Sequence, residues 1–144
     1  MESEIPSTQI TNNDAYTENH ARAAMAWFTE IGQNEWDLSI EEQCTLLGGI
    51  PPRSYHKWKK DALEGKPVEL PHDTMERLSL LLGIYKGLKL ISPAGRENFA
   101  ADWFIEPNND PTFGGKSFKE FTIERGTIGA LYTVRQYIDR ARGV

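Results

Sequence analysis

Cysteine is nearly absent from this 144-residue chain, which carries only Cys44, so no disulfide can form within it. Such usage is typical of proteins in a reducing cytosol, and we therefore expect a cytoplasmic location. Long apolar runs are also lacking, since no stretch approaches the roughly 20 residues that cross a bilayer. The acidic first residues do not form the positively charged start of a secretory signal. We expect no membrane partner.

Catalytic motifs are lacking as well: the chain has no H-E-x-x-H, no paired C-x-x-C and no G-x-S-x-G pattern. Gly114-Gly115-Lys116-Ser117 ends like a phosphate-binding P-loop. However, Asp110 stands where that motif requires its first glycine, and no strand is predicted before it. Cys44 lies on an apolar stripe and is interpreted as a small core residue. The histidines have no useful ligand spacing. We therefore expect a protein that is not an enzyme and that has no catalytic residue, cofactor or metal site.

Charge is unevenly distributed along the chain, whose formal net charge is −5. Up to Glu42 there is one base, Arg22, against nine acids, a net charge of −8. From Gln43 onward there are 15 bases and 12 acids, a net charge of +3. The overall acidity therefore hides a basic segment that is able to meet an anionic partner.

Helical signals follow one another along most of the chain, with no convincing two-residue alternation, so the sequence predicts an all-α fold of about seven helices. Residues 1–17 are rich in Ser, Thr, Asn and acids and predict a flexible tail. Capping boxes of the S/T/D-x-x-E type mark three helix starts. Helices are predicted from His20 to Ile31, from Ser39 through Leu47, from Pro51-Pro52 to Gly65, from Asp73 to near Ser92, from Ala94 to Ile105, from Ser117 to Gly126, and from about Ile128 to Ala141.

The segment from Leu38 to Lys60 has the spacing of a helix-turn-helix, with Gly48-Gly49 as its turn. On the second helix, Tyr55 and Trp58 are spaced to face the core, which directs the polar residues outward. Bases on such a helix pair with DNA phosphates, and residues at its N-terminal end reach base edges. A solvated basic face on a small bundle remains an equally open interpretation. The candidate DNA-binding residues are Arg53, Ser54, His56, Lys57, Lys59 and Lys60.

The C-terminal stretch carries a resemblance to a known family, through Trp103, Pro107-Asn108, Phe113 to Ser117, Phe121, Gly126 and the segment from Val134 to Gly143. It resembles the toxin-binding domain of the Xre/MbcA/ParS-like antitoxins. Members of that family carry an N-terminal Xre-like helix-turn-helix, which corresponds here to Leu38 through Gly65, with Trp58 in the family's tryptophan position. The chain departs from the family pattern at Phe118, where proline is common, and in a slightly longer loop at Asn109-Asp110.

The resemblance implies two units after the tail: an Xre-like helix-turn-helix bundle over residues 18–92 and a small helical toxin-binding domain over residues 93–144. It further implies an antitoxin of a type II toxin–antitoxin pair, which covers the active site of a RES-domain, NAD-depleting toxin and represses its own operon. Operator DNA would then be a second partner, and we expect a homodimer within a hetero-oligomeric complex. The alternatives are a stand-alone helix-turn-helix repressor and a helical adaptor that does not bind DNA.

Within this resemblance, the toxin-binding surface is expected around the Gly114-Gly115 loop and the last helix. Two successive glycines allow close approach of a partner, and the nearby cations suit a cleft built for an anionic dinucleotide. The alternative is that the glycines only form the turn before Ser117 and that the arginines favour a helix C-terminus. The candidate toxin-binding residues are Asn108, Gly114, Gly115, Lys116, Ser117, Arg135, Arg140 and Arg142.

Overall fold

The computed structural model describes residues 4–143, with side chains from residue 18 onward. Within that range every regular element is helical, as the sequence predicts, and none of the helices is both long and apolar enough to cross a membrane. The tail predicted for residues 1–17 lies outside the residues with described side chains. The helices are α1 (Glu4–Asn34), α2 (Ile40–Leu46), α3 (Pro52–Leu63), α4 (His72–Ile91), α5 (Phe99–Ile105), α6 (Phe118–Arg125) and α7 (Ile128–Arg142), with a 3-10 turn at Pro111–Phe113.

Local capping signals set several of these boundaries. Ser39 and Ser117 each cap a helix in a reciprocal capping box, with Glu42 and Glu120 as their partners, and both predictions are confirmed. Gly126 ends α6 in the left-handed region, at φ 64°. Because glycine has no Cβ, it adopts this conformation without the strain that other residues meet.

Three predicted helix starts are wrong. The helix predicted from His20 already begins at Glu4. The box predicted at Asp73 is not formed, because α4 already begins at His72 after Pro71. The Asp73 carboxylate instead accepts a hydrogen bond from Nε of Arg77, at 2.9 Å. The helix predicted from Ala94 begins only at Phe99, since the residues after Pro93 form successive turns around Gly95, whose φ is 82°.

One hydrophobic core runs through the described helices, with α4 at its centre, packed against α1, α5 and α7. Leu81 and Ile84 of α4 and Val134 of α7 are fully buried. The ring of Trp36, after α1, stacks on Phe104 of α5 with centroids 3.9 Å apart. The helix-turn-helix segment and the C-terminal helices therefore share their interior.

Polar contacts also join the loops that flank α2 to the later helices. Thr74 at the start of α4 donates to the carbonyl of Leu47 at 2.8 Å. The nearly buried Arg77 donates through Nη1 to the carbonyl of Gly126 at 3.1 Å. Lys119 of α6 reaches the carbonyl of Asp37 at 2.9 Å. Since these bonds fix loops on both sides of α4, they hold the turn before α3 against the rest of the fold.

Candidate functional site

The segment that the sequence predicts as a helix-turn-helix contains α2, a turn over residues 47–51, and α3. Tyr55 of α3 is fully buried, and its hydroxyl donates to Oε1 of Gln43 on α2. The Gln43 amide in turn donates to the carbonyl of Leu38 at 3.1 Å. Burial raises the pKa of Tyr55 to about 12, so the phenol stays protonated and keeps this bond. The pair fixes the angle between the two helices.

The turn requires glycine at Gly48, where φ is 117°. A Cβ at this position would lie 2.8 Å from Oδ2 of Asp73, so both the backbone conformation and the close approach of α4 exclude a side chain. Cys44 on α2 is buried as predicted, and burial raises the pKa of its thiol. The thiol therefore stays protonated and packs as a core residue.

The predicted DNA-binding residues all lie on α3, and most of them reach solvent. Arg53, His56, Lys57 and Lys60 are exposed, whereas Ser54 and Lys59 are half-buried. The helix begins with Pro52 at its first position and has no side-chain cap. The backbone N–H groups of Arg53 and Ser54 thus stay outside the helical hydrogen-bond ladder, as is normal for a first turn. This end of α3 presents free donors and the positive end of the helix dipole to solvent.

Acidic groups lie near one side of this helix. Lys57 forms an ion pair with Asp61 at 2.9 Å, and the hydrogen bond from Lys57 lowers the pKa of the Asp61 carboxyl. Glu18, on the helix α1 that packs along α3, lines the same shallow groove as Lys57 and Trp58. Within the described side chains, by contrast, Lys60 forms no ion pair. The middle of α3 is therefore partly neutralised, while its N-terminus and Lys60 stay cationic.

Two of the predicted toxin-binding residues organise the C-terminal loop from within. Asn108 is 6% exposed and Ser117 is 1% exposed. The backbone N–H of Asn108 donates to the carbonyl of Lys116 at 3.1 Å, and its Oδ1 accepts from the N–H of Asp110 at 2.7 Å. Ser117 caps α6 through the N–H of Glu120 at 3.0 Å. These side chains hold the loop and present little surface of their own.

The glycines between them are exposed. Gly114 and Gly115 have φ values of 59° and 84°, and nothing lies within 4 Å of an added Cβ at either position. Lys116, beside them, forms an ion pair with Glu124. The loop tip is thus an open, conformationally demanding turn next to a neutralised lysine.

Two of the three arginines of α7 meet at one carboxylate, and the third, Arg140, lies apart from them. Arg135 pairs with Asp139 at 3.2 Å and lies across α4, where a Cβ at Gly83 would overlap its Nη1. Arg142 reaches the same Asp139 at 3.6 Å. Arg140 is exposed, and its charge contributes to lowering the pKa of Asp110 on the loop, after the larger effect of hydrogen bonds from Thr112. The fold therefore brings Arg140 toward the loop and directs Arg135 toward α4.

Aromatic packing fixes the loop against α7. The ring of Phe113 meets Tyr137 of α7 edge-on, with centroids 5.3 Å apart, and Phe118 lies 5.8 Å from the same ring. A cleft of about 620 Å³ opens between this loop, α5 and α7. Asp102, Trp103 and Glu106 line it, and sequence reasoning missed it. The spacing of Asp102 and Glu106, four residues apart, was a usable signal, but the opposite wall depends on how the loop after Glu106 folds back and on Tyr137 of α7.

Comparison with known proteins finds a relative in Sinorhizobium fredii. It is 38% identical over 110 residues to a protein of Sinorhizobium fredii described as "Uncharacterized protein y4oB", and the match covers 76% of this chain and 78% of the relative. The chain belongs to the y4oB family. No family model and no solved structure matches it. The description of y4oB specifies no ligand or activity. The geometry of the chain itself therefore supports the proposal below.

Proposed function

We propose that this member of the y4oB family is the antitoxin of a type II toxin–antitoxin pair, which binds operator DNA through α3 and a RES-domain toxin through its C-terminal half. The observation that carries the proposal is the surface of α3. Its uncapped N-terminus follows a glycine turn, and Arg53, Lys57 and Lys60 reach solvent there.

The DNA-binding part follows from the charge and placement of these groups. A helix that enters the major groove presents its first residues to base edges, which suits Arg53 and Ser54. Lys60, near the other end of α3, is placed for phosphate contact, which releases condensed counterions. The buried Tyr55–Gln43 bond supports this role, because it holds α3 at a fixed angle to α2. We expect two copies to bind a palindromic site as a homodimer, which light scattering of the free chain and of the toxin complex tests.

The toxin-binding part is supported by the resemblance of the C-terminal stretch and by the exposed turn at Gly114-Gly115. Open space around both glycines allows a partner's backbone to approach. Arg140 lies on the side of α7 that faces this loop, and its charge is available to acids of a dinucleotide-binding cleft. We propose that the loop and Arg140 together cover the toxin's active site.

The DNA interface is tested by the salt dependence of binding to the segment upstream of the chain's own reading frame. Lys59→Ala with Lys60→Ala should make the slope of log K against log salt less steep by about 1.8, because each of the two lost phosphate contacts contributes about 0.9. The matched control is Lys86→Ala with Lys89→Ala, which removes the same charge from exposed positions of α4. Arg53→Ala should weaken operator binding by about 1–3 kcal/mol if it reads a base. A free chain and a toxin complex that both ignore this DNA at low salt would refute the DNA-binding role.

The toxin interface is tested by co-expression with the product of the neighbouring reading frame, which the proposal expects to be a RES-domain toxin, with growth as the readout. Gly115→Trp should abolish rescue, since the side chain would stand in the contact. Gly65→Trp is the matched control, because Gly65 has a similar φ of 75° and equally open surroundings in the loop after α3. Equal rescue by both variants would remove the loop from the interface.

A helical adaptor that does not bind DNA is the second candidate. It is favoured by the position of Glu18 and Asp61 beside Lys57, because carboxylates on that side of α3 repel phosphate. The two candidates differ in one result. Under the adaptor hypothesis, Glu18→Gln with Asp61→Asn should create DNA binding that the unmodified chain lacks.

A further inference from the structure

The cleft between α5, the Pro107–Lys116 loop and α7 has acidic and aromatic walls. Asp102 and Glu106 project from the end of α5, and Asp110 stands on the loop opposite them. Trp103 and Tyr137 supply the aromatic surface. The volume of about 620 Å³ is large enough for several side chains of a bound molecule.

The charge of the cleft is not balanced by its own residues. Three carboxylates line it against one lining base, Arg96, whose guanidinium lies over the ring of Phe99, 5.0 Å from its centre. Arg140 of α7 lies near Asp110 and offsets part of its charge, so the uncompensated carboxylates are Asp102 and Glu106. Neither Asp102 nor Glu106 forms an ion pair with any side chain that the structure describes. In the same part of the chain no group of three or more His, Cys, Asp or Glu residues is close enough to hold a metal ion. The unbalanced charge therefore suits an extended organic cation.

Asn108 adds a hydrogen-bond donor to the cleft wall. Its side chain is 94% buried, and Oδ1 is oriented by the N–H of Asp110, which fixes the amide nitrogen on the other side. Among the described residues that nitrogen has no hydrogen-bond partner, and Asn108 lines the cleft. That nitrogen keeps contact with solvent, because among the described side chains the one buried polar atom without a partner is Nε1 of Trp36. A carbonyl oxygen of a bound chain would take the place of its hydrating water.

We infer that this cleft binds an arginine-bearing, extended segment of a partner protein. The guanidinium pairs with Asp102 and Glu106 and stacks on Trp103 or Tyr137. A backbone carbonyl of the same segment accepts from the Asn108 amide. This inference does not depend on the proposed binding of DNA or of a RES-domain toxin.

The test uses the full ¹⁵N-labelled chain and three probes followed by NMR. The first is an acetylated, amidated Gly-Arg-Gly peptide. The second replaces its arginine by citrulline, which keeps the shape and removes the charge. The third is butylguanidine, which keeps the single cationic guanidinium and lacks the backbone carbonyl. The arginine peptide should shift the Trp103 indole and the Asn108 side-chain amide in a saturable way. The other two probes should bind at least about tenfold more weakly, which corresponds to about 1.4 kcal/mol.

Variants test the same interaction from the side of the chain. Asp102→Asn with Glu106→Gln should abolish the shifts. Glu30→Gln with Glu69→Gln, at exposed positions outside the cleft, should leave them unchanged at the same net charge. Equal binding of the citrulline peptide would overturn the inference, as would full binding of butylguanidine or shifts confined to other surfaces. A change in oligomeric state caused by the cleft variant would show that the occupant is a second copy of this chain, and the partner assignment would then be wrong.

Discussion

Substitution of Gly87 tests the tight contact between α4 and α7. An added Cβ would lie 2.6 Å from Cγ2 of Ile138, about 1 Å closer than carbon atoms normally approach. Ile138 is fully buried and β-branched, so it has no alternative rotamer with space to occupy. Overpacking of this kind lowers stability by about 1–3 kcal/mol. The higher helix propensity of alanine opposes this and raises stability by about 1 kcal/mol. Gly87→Ala should therefore lower the free energy of unfolding by about 1 kcal/mol.

Two other helical glycines provide matched controls. A Cβ at Gly83 would overlap only the end of the flexible Arg135 side chain, which can move at the expense of a partly exposed ion pair. Since such pairs contribute about 0–1 kcal/mol, Gly83→Ala should be close to neutral. At Gly129 the nearest atom is Oγ1 of Thr127 at 3.9 Å, so Gly129→Ala should stabilise the chain by up to about 1 kcal/mol.

Urea unfolding followed by circular dichroism measures the three variants, with unchanged m-values as the sign that the same two-state transition is compared. The expected order of stability is Gly129→Ala, then Gly83→Ala, then Gly87→Ala. If Gly87→Ala is as stable as Gly129→Ala, the backbone of α4 is not in contact with Ile138 and the proposed packing of α4 against α7 is wrong.

Two further predictions concern local contacts. The pKa of Tyr55 is raised from 10 to about 12, so the stability that its phenol contributes is fully present below pH 10 and is lost as the pH rises toward 12. The loss amounts to about 2–3 kcal/mol. Tyr55→Phe should be less stable at pH 7 yet should lack this part of the alkaline loss, and parallel pH profiles of the two proteins would contradict the assignment. Ser117→Ala should lower the free energy of unfolding by about 1–2 kcal/mol, because it leaves the N–H of Glu120 without its cap. An unchanged temperature of thermal unfolding would show that the capping box does not stabilise α6.

Part of the candidate site could be predicted from the sequence. The α3 surface follows from local pattern, since Pro52 begins the helix and the spacing of Tyr55 and Trp58 directs the basic residues outward. The pairing of Lys57 with Asp61 is also a local i,i+4 relation. The approach of Glu18 was not predictable, because it depends on how α1 packs along α3.

The sequence by itself determined the helical class and several boundaries, because these depend on neighbours a few residues away. Ser39 and Ser117 cap helices through N–H groups three positions along, and Gly126 ends α6 by its own backbone freedom. Tertiary structure decided the placement of Arg77, which is nearly buried and donates to the carbonyl of Gly126 in the loop after α6. It also buried Asn108 within a loop and placed it on the wall of the acidic cleft. Those outcomes depend on contacts between segments far apart in the chain, which local pattern does not encode.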